Sequence, residues 1–302
     1  MPENNAPIRP VAGILWMLSA GFAFVAMTGL VRYLGTDLPA PQAAFLRFAW
    51  GVIFLSPALW RVFRAGIESH VLRLHLGRGV VHTAAVVLWF FAMARLPVAE
   101  VTAIGFINPV LVTLGAAFFF GEGLALRRII AVLVGLCGAL IILRPGLREI
   151  NPGHFAQIGA AFFFAGSYLF AKRLTQVTDA GAVVAVLSGL VALGLFPLAV
   201  VVWEPVSSMQ LGLLGLVAAF ATLGHYCMTR AFASAPLAVT QPVVFLQLVW
   251  ATLLGALVFG ESEDGFVLMG GAVIIASVSY IAFREHQLRR KTRTRTPGAD
   301  QL

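Results

Sequence analysis

The sequence predicts an all-α membrane protein: ten transmembrane helices as two inverted five-helix repeats, both termini cytoplasmic. Three observations predict it: an apolar composition, a lopsided distribution of positive charge and a repeat between the two halves. Of the 302 residues, 60% are hydrophobic and 11% are charged, whereas a soluble domain carries roughly 25% charged residues. No soluble core buries that much apolar side chain, so lipid is the solvent for much of the surface. The net charge of +8 does not point to nucleic acid, because the cations gather between apolar runs. Cys137 and Cys227 both lie inside such runs and form no surface disulfide framework.

A span needs about 20 apolar residues. Runs of this kind cover 11–31, 41–60, 77–95, 98–120, 128–143, 154–171, 180–203, 209–232, 236–259 and 265–283. The first lacks a small-residue cleavage site and reads as a retained span, not a signal peptide. An even count returns the chain to its starting side. On that side stand Arg9, Arg61, Arg64, Arg73, Arg78, Arg127, Arg128, Lys172, Arg173 and Arg230, together with Arg284, Arg289, Arg290, Lys291, Arg293 and Arg295 of the tail. The other side has Arg32, Arg95, Arg144 and Arg148, and Arg47 lies within the second span. Sixteen against four places the termini in the cytoplasm of a bacterial-type inner membrane. The basic tail is either a solvated segment that fixes topology or a contact for anionic lipid. The 61–78 loop, with Val62, Phe63, Ile67, Val71 and Leu72 among arginines, is either a plain loop or lies in the interface.

The repeat emerges when Pro97 is set on Pro236, an offset of 139 residues. Without gaps, Ala99 then meets Ala238, Phe106 meets Phe245, Thr113 meets Thr252, and Phe120-Gly121-Glu122 meets Phe259-Gly260-Glu261. The fourth and ninth spans are thus partners. A weaker match at an offset of 141 sets Ala20 on Ala161 and Phe22 on Phe163, pairing the first and sixth. Each unit holds five helices, an odd number, so the second enters the membrane from the opposite face. Inverted repeats of this kind are a transporter architecture with substrate near the midplane. Two similar units in opposite orientation can exchange conformations and open one central site to each side in turn. The expected boundaries are 11–144 for the first repeat, 153–284 for the second and 285–302 for the cytoplasmic tail.

The stretch Ala94-Arg95-Leu96-Pro97-Val98-Ala99-Glu100 through Phe120-Gly121-Glu122, followed by Leu124–Leu143, resembles the fourth and fifth spans of an EamA domain. Ala231 through Phe259-Gly260-Glu261 resembles the same segment of a second such domain, and the Arg47-Phe48 pair fits the second span. The resemblance is to the drug/metabolite transporter superfamily and covers nearly the whole chain. It implies ten helices, no cofactor, no enzymatic activity, and a cavity lined mainly by the first, third, fourth, sixth, eighth and ninth helices. Ala99 through Ile104 ahead of Asn108-Pro109 looks most like the branch of riboflavin and S-adenosylmethionine importers. The implied function is secondary transport of a small nitrogenous or aromatic metabolite, of the riboflavin, S-adenosylmethionine or amino-acid class. The alternative is a multidrug or metallophore exporter of the same fold.

Polar groups inside hydrocarbon are expensive, so each is a site candidate. Asn108 lies about ten residues into the fourth span, near mid-bilayer at ~1.5 Å per residue. The offset pairs it with Gln247, and Gln241 precedes that residue on the same run. A carboxamide both donates and accepts; the other use of these residues is bonding between helices. Pro109 and Pro242 remove backbone hydrogen bonds in the same two helices. His82 and His225 fall at repeat positions one turn apart, near the cytoplasmic ends of the third and eighth spans. They could bind ligand or carry a proton, or simply pack. Arg47 either snorkels to the external face or attracts an anionic group, and Arg47 or Arg95 could form a gating pair with Glu100. Trp89, Phe106, Tyr226 and Phe245 are the candidate stacking surfaces. Amides, histidines and aromatics together suit a small nitrogenous substrate better than an inorganic ion.

Rival classes lack their residues. A phosphate-handling membrane enzyme needs clustered carboxylates for metal, and no span holds two. No Gly-x-Ser-x-Gly elbow appears, and His225-Tyr226-Cys227 puts its two ligand types on different helix faces, unsuited to zinc. Neither the charge rings nor the carbonyl filters of a channel are present. The expected partners are a small-molecule substrate and membrane lipids.

Overall fold

The computed structural model describes residues 9–34, 38–93, 95, 104–121, 126–143 and 152–259, and parts of the last apolar run (265–266, 269–273, 275–277 and 280). All regular structure among them is helical. In chain order the helices are α1 (Pro10–Leu34), α2 (Ala40–Phe54), α3 (Ser56–Ala65), α4 (Ser69–Met93), α5 (Ile107–Phe120), α6 (Leu126–Leu143), α7 (Pro152–Leu174), α8 (Ala180–Val201), α9 (Ser208–Ser234), α10 (Leu237–Val244) and α11 (Leu246–Phe259). Five are long and apolar enough to cross a membrane: α1, α4, α7, α8 and α9. The bent pair α2–α3 makes a sixth if taken as one span. Leu15, Phe22, Phe118, Phe119, Leu193, Val201 and Leu257 all point outward, a surface suited to hydrocarbon.

Local chemistry sets the helix ends. Asp179 caps α8 by accepting from the Ala182 amide at 3.0 Å. Ser207 and Gln210 cap α9 reciprocally, at 3.2 and 2.9 Å. Gly121, with φ +62°, closes α5 in the left-handed region that glycine enters without strain.

The structure corrects the sequence reading at the second and third spans. The expected 61–78 loop contains the end of α3, a short break at 66–68 and the first turns of α4. His70, Arg73, His75 and Arg78 dilute the hydropathy there, which is why the third span was expected to start at 77. Backbone bonding needs no apolar side chain, and no proline interrupts 69–93, so the helix starts at Ser69. The second run breaks at Leu55, and α3 leaves α2 at 67°. Pro57 explains the bend, because it lacks an N–H and its ring would clash with the Ile53 carbonyl in a straight helix. The resulting α3 exposes Trp60 and Phe63 beside Arg61 and Arg64.

The fourth and ninth runs are also interrupted, at Phe106 and Phe245. These two residues are repeat partners, although the prolines nearby are not: Pro109 follows one break and Pro242 precedes the other. The two rings are in tilted contact, with centroids 5.1 Å apart and planes at 32°.

Helix pairing follows the repeat. The first helix of one half packs along the third of the other, twice over: α1 with α9 and α4 with α7. The second helices, α2 and α8, face each other, and α4 with α8 mirrors α9 with α2. Small residues allow close approach. A methyl group on Gly79 would lie 2.8 Å from Leu190 Cβ, and one on Gly224 would lie 2.8 Å from the Phe24 ring. One apolar core gathers around α1, α5, α7 and α9–α11, and a second around α2, α4 and α8. Polar side chains collect where α2, α4, α7, α8 and α9 meet.

Candidate functional site

Two histidines define this junction. His82 of α4 and His225 of α9 have ring centroids 5.6 Å apart, and both are buried. Their helices are repeat partners, which is why one turn of mismatch in the sequence still brings them together. His82 Nδ1 lies 2.9 Å from Ser167 Oγ on α7. Aromatic edges close the rest: Phe24 beside His225, and Phe48 and Phe164 beside His82.

Arg47 does not snorkel outward. Its Nη2 lies 3.3 Å from His225 Nε2, and its guanidinium sits 4.4 Å from the centre of the Phe48 ring. Guanidinium can only donate, so Nε2 accepts and the proton of neutral His225 resides on Nδ1. Next to this pair is a small cavity lined by Arg47, Gly51, Ser188, Thr222 and His225 among others. Both halves of the chain contribute to it, through α2, α8 and α9.

Arg78 is the residue that sequence reasoning missed. Counted with the cytoplasmic cations, it is instead wholly buried, with Nη1 donating to the Val183 carbonyl of α8 at 3.0 Å. Taking Arg78 out of the expected split leaves fifteen cations against four. The signal was its spacing, since a residue four positions before His82 shares its helix face. Ser167 gave no such signal, because hydroxyls are frequent in apolar helices.

The other candidates fall elsewhere. Asn108 donates to the Ala161 carbonyl of α7 at 3.1 Å, and Gln247 lies against α1, its Cγ 3.2 Å from where a Gly21 methyl would stand. Ala161 is the repeat mate of Ala20, so the two carboxamides make related contacts to the first helix of the opposite half. Gln241 is buried, and neither its Nε2 nor its Oε1 has a hydrogen-bond partner among the described residues. Phe106 and Phe245 are buried against each other. Trp89 packs on Phe90 near Ala92 and Ala156. Tyr226 faces Trp16 on α1, ring centroids 6.3 Å apart. Arg95 is exposed and lies over its neighbour Phe91; Glu100 lies outside the described residues.

Comparison with known proteins fits this arrangement. Residues 11–144 and 151–283 each match the EamA-like transporter family. The chain belongs to that family. Its EamA halves are the two sets of helices whose pairing is described above, and the protein is a multi-pass membrane protein. It is similar to the riboflavin transporter of Vibrio cholerae serotype O1, 29% identical over 94% of this chain and 97% of that one. The S-adenosylmethionine uptake transporter of Rickettsia felis is 25% identical over 93% and 96%. The pseudopaline exporter CntI of Pseudomonas aeruginosa is 26% identical over 88% and 94%. A solved crystal structure matches with a TM-score of 0.77 at 20% identity, over 93% of this EamA chain and 99% of that chain, and bears on the fold alone.

Proposed function

We propose that this EamA protein is a secondary transporter that carries a small nitrogenous or aromatic metabolite across the inner membrane by alternating access. The observation that carries this reading is the meeting of His82 and His225, from repeat-related helices, beside a cavity to which both halves contribute. A site on the interface of two exchanging units is exposed to each side in turn. The relatives named above include carriers of riboflavin and of S-adenosylmethionine, which set the substrate class. Export of a metallophore is the second reading, favoured by the similarity to the pseudopaline exporter.

In this reading the chain spans the membrane ten times with cytoplasmic termini, as units 11–144 and 153–284 followed by the basic tail. Three contacts support that order, because each joins segments it assigns to one side. Gln42 at the start of α2 bonds the backbone of Glu204 after α8, at 2.8 and 2.9 Å. Lys172 at the end of α7 bonds the Phe232 and Ala235 carbonyls at the end of α9, at 2.6 and 2.8 Å. The Arg9 amide before α1 bonds the Ser234 carbonyl at 2.7 Å.

Arg47, His82 and His225 form the substrate-binding centre in this reading. The Phe106–Phe245 pair, flanked by Asn108, Gln247 and Gln241, forms a constriction at the two helix breaks. Trp89 and Tyr226 line the approaches, and Arg95 with Glu100 guards the external end. The test is uptake into proteoliposomes of riboflavin, S-adenosylmethionine and amino acids, one at a time. One of them is expected to accumulate at least tenfold faster with wild-type protein than with a His82→Phe/His225→Phe double variant that remains folded. Equal rates in the two would sink the assignment of the site, and no uptake of any solute would sink the substrate class.

A further inference from the structure

Among the described residues, the junction of the two halves holds hydrogen-bond donors in excess and positive charge without a counter-charge. Arg47 and Arg78 both place guanidinium groups inside the fold. Among the described residues, Arg47 Nε, Arg78 Nε, Arg78 Nη2 and His225 Nδ1 are buried and have no hydrogen-bond partner. The acceptors nearby are neutral and supply no counter-charge. Val183 takes the one bond Arg78 makes, and the Ser188 hydroxyl donates to its own helix at Val184. Among the described residues the carboxylates are Glu68, Asp179 and Glu204, all between helices and none at this junction.

Burying one charge without a partner costs several kcal/mol, and two of the same sign raise that cost. A guanidinium does not escape by losing its proton as a lysine does. A site that keeps both arginines charged therefore waits for an anion supplied by something that enters. We infer that the cavity between Arg47 and His225 receives the oxyanion of the substrate, a carboxylate or a phosphate, with Arg78 one helical turn from His82 adding the second positive charge. This deepens the transport reading above and rests on it.

The arrangement assigns each group a task. Arg47 Nε and the His225 Nδ1 proton, both on residues lining the cavity, donate to the oxyanion, and charge-assisted bonds of this type are roughly twice as strong as neutral ones. The His225 ring, bonded to Arg47 through Nε2, is held in the tautomer that leaves Nδ1–H free. Phe48 packs on the Arg47 guanidinium and Phe24 on the His225 ring, and this apolar cover strengthens the field of Arg47. The cavity is small, with room for one compact group and not for a whole metabolite. It fits the acidic end of a metabolite, with the rest of the molecule directed along the helix interface.

The experiment uses the full chain purified in detergent and reads its thermal stability at constant ionic strength. The probes are inorganic phosphate and benzoate against chloride, and riboflavin 5′-phosphate against riboflavin. Oxyanion probes are expected to stabilise the protein saturably, and riboflavin 5′-phosphate to do so at a concentration at least tenfold below riboflavin. Arg47→Gln and Arg78→Gln should each weaken the oxyanion effect at least tenfold, and Arg78→Lys should retain part of it. Should Arg78→Gln fail to fold, the preference of the wild-type protein within each pair still decides. Absence of a saturable oxyanion effect, or a riboflavin effect equal to that of its phosphate, overturns the inference. Riboflavin that binds and crosses proteoliposomes while oxyanions do nothing would overturn it and leave the transport reading standing. Oxyanion binding that needs both arginines, without passage of any metabolite, would uphold the site and remove the transport reading.

Discussion

At the scale of single residues, the side chains that matter most are polar ones with buried partners. Gln42 is fully buried and holds the Glu204 backbone through both ends of its carboxamide. Gln42→Ala removes two hydrogen bonds and leaves the Glu204 amide without its partner. The expected cost is about 2 kcal/mol, seen as a lower apparent Tm of the detergent-purified protein. Sequence reasoning could not reach this residue, because a glutamine at the start of an apolar run reads as a solvated end. It did reach His82 and His225, because the repeat offset converts two isolated histidines into a pair. Arg78 escaped for a reason of averaging: hydropathy over a window hides one charge among apolar neighbours, while its partners are set by helix faces. Asn108 was legible as an intramembrane amide, but its bond to the Ala161 carbonyl depends on which helix comes alongside, and a single sequence does not encode that by spacing.

At the scale of helices, the interfaces depend on absent side chains. Gly79 lies on α4 where α8 comes closest, and a methyl group there would meet Leu190 Cβ at 2.8 Å. That atom is tied to its backbone and moves only if the helix moves. Gly79→Ala is expected to destabilise the protein by about 1–3 kcal/mol, measured by thermal aggregation against wild type. The helix end at Lys172 is a second test. Lys172→Met frees the Phe232 and Ala235 carbonyls at the end of α9, and a lower apparent Tm of the purified protein, from a loss of about 1–2 kcal/mol, is expected. The helix α3 was only half legible: arginines among apolar residues were visible, while the bend that sets it off from α2 comes from Pro57 and its end from Gly66. With Trp60 and Phe63 exposed beside Arg61 and Arg64, it suits the polar boundary of a bilayer. Lipids brominated near the headgroup should quench the fluorescence that Trp60→Phe removes, and lipids brominated at the chain end should quench it far less.

At the scale of the whole molecule, the all-helical architecture and its two-part plan were legible, because apolar runs and a gap-free repeat survive without any tertiary information. Where the helices break was not, since the discontinuities at Phe106 and Phe245 fall at equivalent positions although the prolines beside them do not. The proposed topology makes a direct prediction. Single cysteines at Glu68 and Thr178 should react with an impermeant maleimide only in inside-out vesicles, and one at Glu204 only in intact spheroplasts, in a background lacking Cys137 and Cys227. Reaction of all three from one face would refute the ten-span order. Arg78 belongs to the first half, and neither Val217, 139 positions on, nor Ala221, matched to it through the His82–His225 pair, carries a charge. Mirror-image doors are equally easy to open only when both leaves weigh the same. With a charge on one leaf and a methyl-bearing side chain on the other, the empty carrier has a favoured door, and a difference of about 1.4 kcal/mol already rests ten molecules one way for each one the other.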